Sequence, residues 1–106
     1  MKAPENTELD KLKQKVGIQL LWLYVLALLK KAPSHAYTLR KQIQLAFGFL
    51  PGNVPVYVSL YELKKQELVK NSKQGKRKVY EITPKGEQVL EEAKKIFDEK
   101  SKQWFG

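Results

Sequence analysis

The sequence predicts an α+β fold, mostly α: a winged helix-turn-helix carrying N- and C-terminal helices suited to dimerisation. Three observations in sequence order predict it. Residues 54–66 read as a short helix with one apolar and one aromatic face. Residues 68–82 follow as a basic hairpin, and Thr83-Pro84-Lys85-Gly86 then opens a last helix. A helix shaped for a groove followed directly by a cationic loop forms one working unit, whereas either alone is common surface decoration.

With 106 residues the chain is expected to be a single domain, 1–106, large enough to bury one core. Thr7 and Asp10 resemble a capping box with the shorter acid, and Leu9, Leu12 and Val16 follow at helical spacing. The first helix is therefore expected over 8–31, with Gly17 as the place for a break, since glycine costs ~1 kcal/mol relative to alanine inside a helix. Val16 to Leu29 is nearly all apolar, but its 14 residues fall short of the ~20 that span a bilayer. A buried helix is the better reading, with no membrane role. One face holds Ile18, Leu21, Val25 and Leu28, and another holds Leu20, Leu23, Tyr24 and Ala27. In so small a domain the second face suits a partner chain, which motivates a homodimer.

Ala32-Pro33-Ser34 interrupts this pattern and places Ser34 to cap a second helix over 35–47, marked by Leu39, Ile43 and Phe47 and ended by Gly48. The turn-rich Phe49 to Asn53 comes next, with Asn53 placed as a cap and Pro55 tolerable in the first turn of the third helix, 54–66. At 100° per residue, Val56, Leu60 and Leu63 form the core side of that helix, while Tyr57, Val58, Tyr61, Glu62 and Lys65 face away. The two tyrosines suit either a nucleic-acid groove or packing against neighbouring elements. Gly75 supplies the positive φ of a short hairpin between strand-like runs. Thr83 caps the last helix, 84–104, and Pro84 fits its first position. Leu90, Ala93, Phe97 and Trp104 there form a three-four seam interrupted by Lys100, matching Leu9, Leu12 and Val16 of the first helix. These residues, with Leu20, are the expected dimer interface.

The charge balance is 20 Lys+Arg against 11 Asp+Glu, a net +9. Eight of the cations lie within 64–85, against Glu67 and Glu81 only, so the positive charge sits on the reading unit and favours a polyanionic partner. The absence of cysteine excludes disulfides and thiolate metal sites and fits a reducing cytoplasm. His35 stands alone, there is no phosphate-binding glycine loop, and the acids lie along solvent faces. No enzyme activity, metal or cofactor is expected.

With the elements placed, the sequence resembles the PadR-like family of winged-helix transcription regulators. Leu26-Ala27-Leu28-Leu29 through Pro33-Ser34-His35-Ala36-Tyr37 and Leu39 is similar to the family's first helix and its small-Pro-x-His-Gly-Tyr-x-Leu turn. Val56-Tyr57, Leu60, Leu63 and Leu68-Val69 resemble its recognition helix and the hydrophobic pair after it, and Arg77 to Gly86 resembles its second wing strand and Thr-Pro-x-Gly entry. The likeness spans roughly residues 16 to 97. Ala36 and Glu67 stand where the family usually has glycine, and Glu67 makes the turn close without easy access to positive φ.

The resemblance implies a transcriptional regulator in the cytoplasm of a prokaryotic-type cell or its virus. It would bind double-stranded DNA as a homodimer, as a repressor on a pseudo-palindromic operator. Base reading would fall to Tyr57, Val58, Tyr61 and Glu62. Phosphates would be held by Arg40, Lys41, Ser59, Lys64, Lys65, Lys73, Lys76, Arg77 and Lys78. Trp104 serves dimer packing in this reading, and a small aromatic effector at the dimer interface is the alternative. The rival functions are a winged-helix protein-interaction module and a DNA-binding protein without sequence preference.

Overall fold

A computed structural model describes residues 5–106. Its elements are α1 (Thr7–Gln14), a π turn (Lys15–Gln19), α2 (Leu21–Lys31), α3 (Ala36–Phe47), α4 (Asn53–Lys65), β1 (Val69–Gln74), β2 (Arg77–Ile82) and α5 (Pro84–Phe105). The buried side chains of α2, α3 and α4, chiefly Val25, Leu26, Leu39, Ile43, Val56 and Leu60, form one core closed by Val69 and Tyr80 of the hairpin.

The N-terminal helix departs from the sequence expectation in two ways. Its cap is Asn6, whose Oδ1 accepts from the amides of Glu8 and Leu9 at 2.9 and 3.2 Å, and not Thr7. The break lies at Leu20 (φ −101°, ψ 14°) and not at Gly17; the two helical segments meet there at 53°. The cause is an aromatic cluster remote in sequence. The Tyr24 hydroxyl donates to the Val16 carbonyl at 2.7 Å, and the Tyr24 ring stacks on Phe47 at 4.6 Å with Phe49 beside it. Burial pushes the Tyr24 phenol pKa up. Gly17 is buried against the Phe49 ring, at a distance that leaves ordinary contact room for a β carbon. Among the described residues, no single helix is long and apolar enough to cross a membrane; the bent pair reaches the length, and its α2 portion is spent on the core.

Ser34 does not cap α3. Its backbone pairs with Tyr80 of β2, donating to the Tyr80 carbonyl at 3.0 Å and accepting from the Tyr80 amide at 2.8 Å. One ring nitrogen of His35 sits 3.0 Å from the Lys78 carbonyl. The Pro-Ser-His turn therefore ties α3 to the wing. Asn53 is likewise the first residue of α4, after Gly52 as the cap, and makes no capping bond. Gly48 ends α3 at φ 70°.

The end of α4 fixes the angle between helix and wing. The Leu68 amide reaches back to the Leu63 carbonyl and the Glu67 amide to that of Lys64, both at 2.9 Å, the two bonds of a Schellman ending. Glu67 occupies its left-handed position at φ 64°, contrary to the expectation that this residue would avoid positive φ. The next helix holds it there. The Thr83 hydroxyl donates to the Glu67 carbonyl (2.7 Å), the Thr83 amide to Leu68 (3.1 Å) and the Lys85 ammonium to Gln66 (3.1 Å). Thr83 Oγ1 also accepts from the Gly86 amide, capping α5. Because left-handed backbone costs a side-chain-bearing residue ~1–2 kcal/mol, Glu67→Gly is expected to stabilise the fold by roughly 0.5–1 kcal/mol after its greater unfolded-state entropy. A thermal midpoint unchanged or lowered relative to the parent would refute that.

Candidate nucleic-acid interface

Helix α4 presents its two sides as its spacing dictates. Val56, Leu60 and Leu63 are buried, while Tyr57 and Tyr61 remain 56% and 65% exposed and Val58 and Glu62 are exposed beside them. Neither tyrosine packs into the core. The hairpin stands next to this helix in the register Lys73↔Lys78 and Gln74↔Arg77. Gly75, at φ 62°, takes the first of the two turn positions, where a type II′ hairpin accepts glycine. Lys73, Lys76, Arg77 and Lys78 are all exposed, and among the described residues no ion pair engages them.

The fold brings the two parts together in one recess of about 460 Å³, lined by Tyr57, by Lys76, Arg77 and Lys78 of the wing, and by His35 and Tyr37 at the start of α3. Tyr37 was absent from the expected site. It is exposed, the Lys41 ammonium lies 4.8 Å from its ring centroid, and a second, smaller recess joins it to Tyr57 and Asn53. The signal in the sequence was its place in the Pro-x-His-x-Tyr turn. Lys41 thereby joins the surface through an aromatic neighbour.

Other expected contacts are divided differently. Arg40 is half-buried and its Nε donates to the Pro51 carbonyl at 2.7 Å, so it braces the α3–α4 loop. Ser59 is half-buried on the flank of α4 away from Tyr57, where Ser59, Val58 and Glu62 line an apolar groove with Trp22 of α2 and Val89 of α5. Val58 and Glu62 thus belong both to the outer face and to this groove. Lys64 and Lys65 are exposed in the last turn of α4, where they also complement the helix dipole. Of the expected dimer residues, Leu9, Leu12, Val16, Phe97 and Trp104 are exposed, Leu20 and Leu90 are half-buried, and Ala93 is buried within its own chain. The seam on α5 therefore serves its own domain in its first half. Among the described residues, no group of three or more His, Asp or Glu side chains comes together as a metal site.

An exposed aromatic helix face beside a cationic two-stranded wing defines a winged helix-turn-helix of the DNA-binding class. The chain belongs to the PadR-like family of transcriptional regulators, whose model matches residues 25–92, from α2 into α5. It is therefore a DNA-binding transcription regulator by family. The fold is similar to a PadR-like transcription factor from Bacteroides fragilis (TM-score 0.75, 23% identity, covering 88% of this chain and 94% of that one). It is also similar to a PadR family regulator from Clostridium difficile (TM-score 0.71, 21% identity, 82% and 99%). A candidate transcriptional regulator from Thermoplasma acidophilum aligns at TM-score 0.62 with 29% identity over 76% and 89% of the two chains. No curated protein sequence matches the chain.

Proposed function

We propose that the protein is a repressor acting in the cytoplasm as a homodimer on a pseudo-palindromic operator. Each subunit inserts α4 into a major groove, with half-sites about 10 bp or a multiple apart. The observation that carries this reading is the shared recess, which places the Tyr57 side of α4 against the cations of the wing. Tyr57 and Tyr61 read bases, and Val58 and Glu62 complete the reading from the far edge, Val58 on a thymine methyl and Glu62 on a cytosine amino group. Lys73, Lys76, Arg77 and Lys78 hold phosphates, and Tyr37 with Lys41 extends that contact along the backbone. Lys64 and Lys65 add to it from the end of the helix.

Selection of bound duplexes from a random pool tests this. A two-fold symmetric consensus is expected, and Tyr57→Ala should relax preference by about tenfold at one position per half-site while leaving the salt dependence unchanged. A pool with no enriched sequence, together with tight capture of an acidic protein, would instead support the protein-interaction reading.

A further inference from the structure

Helix α4 begins one turn before Tyr57. Asn53 and Tyr57 are four residues apart and share a face, which Tyr61 continues. The Asn53 side chain is exposed, caps nothing and hydrogen-bonds to none of the described residues. It lines a recess of about 180 Å³ together with Ala36 and Tyr37 of α3 and Val56 and Tyr57 of α4. Among the described residues, no lysine or arginine lines this recess, whereas the larger one that shares Ala36, Tyr37 and Tyr57 with it is walled by Lys76, Arg77 and Lys78. The larger recess suits a phosphate, and the smaller one suits an uncharged partner that can satisfy a free carboxamide.

The geometry points to Asn53 as a further base-reading residue, whose side-chain amide takes the major-groove edge of an adenine. This rests on the reading of α4 as the helix that enters the groove and specifies what its leading end selects. Three features carry it. A carboxamide presents one acceptor and one donor side by side, and adenine alone sets an acceptor, N7, beside a donor, the N6 amino group, on its major-groove edge. Guanine offers two acceptors there, thymine one acceptor and a methyl, and cytosine a single donor. The Asn53 amino group donates to N7, and Oδ1 accepts from the N6 amino group. Val54 follows immediately and is 72% exposed; an apolar group in that place suits the C5 methyl of a thymine, which only A·T pairs supply. The chain carries no acid between Asp10 and Glu62, so no carboxylate of that segment opposes the approach of this end of α4 to a polyanion. The position of the adenine follows from the helix rise. Four residues at 1.5 Å each put Asn53 about 6 Å along α4 from Tyr57, close to two base-pair steps of ~3.4 Å. The adenine therefore lies about two pairs from the position at which Tyr57 acts.

Selection from a random duplex pool, run in parallel on the intact protein, Asn53→Ala and Asn53→Asp, tests the assignment. The parent is expected to enrich an adenine in each half-site, about two pairs from the position that Tyr57→Ala relaxes. Asn53→Ala should lose that preference by about tenfold and keep the rest of the consensus, the salt dependence and the thermal midpoint. Asn53→Asp carries only acceptors at neutral pH and should favour cytosine, whose amino group is a donor, at the same position. Replacing the selected adenines by 7-deazaadenine removes N7 and leaves the N6 amino group; it should weaken the parent by about tenfold and Asn53→Ala hardly at all, the coupling expected of groups in contact. A parent pool with no enriched sequence would defeat the reading of α4 itself. A parent consensus that Asn53→Ala leaves intact, or a 7-deazaadenine penalty equal in the two proteins, would overturn the Asn53 assignment alone. So would a loss in Asn53→Ala that is uniform over all duplexes and lowers the salt slope, because that marks a phosphate contact.

Discussion

Replacing Gly86 with alanine is expected to lower stability by about 3 kcal/mol and the melting midpoint by roughly 10–20 °C. Alanine is the better helix former, so propensity alone forecasts a gain of ~1 kcal/mol. The opposite sign follows from what surrounds the α carbon. Gly86 is buried in the first turn of α5, and a β carbon there would run into the carbonyl oxygen of Leu68 and Cγ1 of Ile82. Neither obstacle is a flexible side-chain end. The Leu68 carbonyl already accepts the Thr83 amide, and Thr83 in turn holds the Glu67 carbonyl. Displacing α5 to admit one methyl group would therefore loosen the clamp that keeps Glu67 in its left-handed conformation. Thermal or urea unfolding followed by circular dichroism reads the effect, and a midpoint at or above that of the parent would show that the contact yields. Against a total stability of ~5–15 kcal/mol for a domain of this kind, the substitution is severe without being certain to unfold the chain.

The second large effect falls on binding. The triple variant Lys76→Ala, Arg77→Ala, Lys78→Ala is expected to lose on the order of a hundredfold in DNA affinity near physiological salt, for every duplex alike. Its logarithmic salt dependence should flatten by about 0.9 for each phosphate contact removed, or roughly five in a dimer that loses six. These three side chains are exposed and bond to none of the described residues; the contact at Lys78 that matters to the fold uses its backbone carbonyl. The thermal midpoint should therefore stay near that of the parent, separating lost contacts from lost structure. Titrations between about 50 and 200 mM salt make the measurement. A variant with the parent's slope would remove the wing from the DNA interface.

Much of this architecture was legible in the sequence where the cause is local. The 100° spacing of Val56, Leu60 and Leu63, the glycine of the hairpin turn and the Thr-Pro entry to α5 each act within a few residues, and the structure has them buried, at positive φ and capping respectively. What escaped depends on partners far along the chain. The bend at Leu20 follows from Tyr24 meeting Phe47 and Phe49. Ser34 forgoes capping because the Tyr80 backbone offers two hydrogen bonds at once. Glu67 takes a glycine's conformation because Thr83 and Lys85 engage the carbonyls around it. In the candidate interface, the helical wheel separated core from surface on α4. It did not show that the surface side is itself divided, with Tyr57 facing the wing and Ser59 facing Trp22. That division is set by neighbours on α2, α3 and α5.

The π turn at Lys15–Gln19 carries a consequence for how such a chain changes over time. A π turn accommodates one residue more than an α turn, so it acts as a phase adjuster between two helical segments. Deleting a single residue there would let the turn close as an ordinary α turn, so that α1 would keep nearly the direction of Leu9 and Leu12 while the anchored α2 kept its place in the core. One codon lost at this point is absorbed by the turn, and asks nothing of the exposed apolar stripe or of the reading helix.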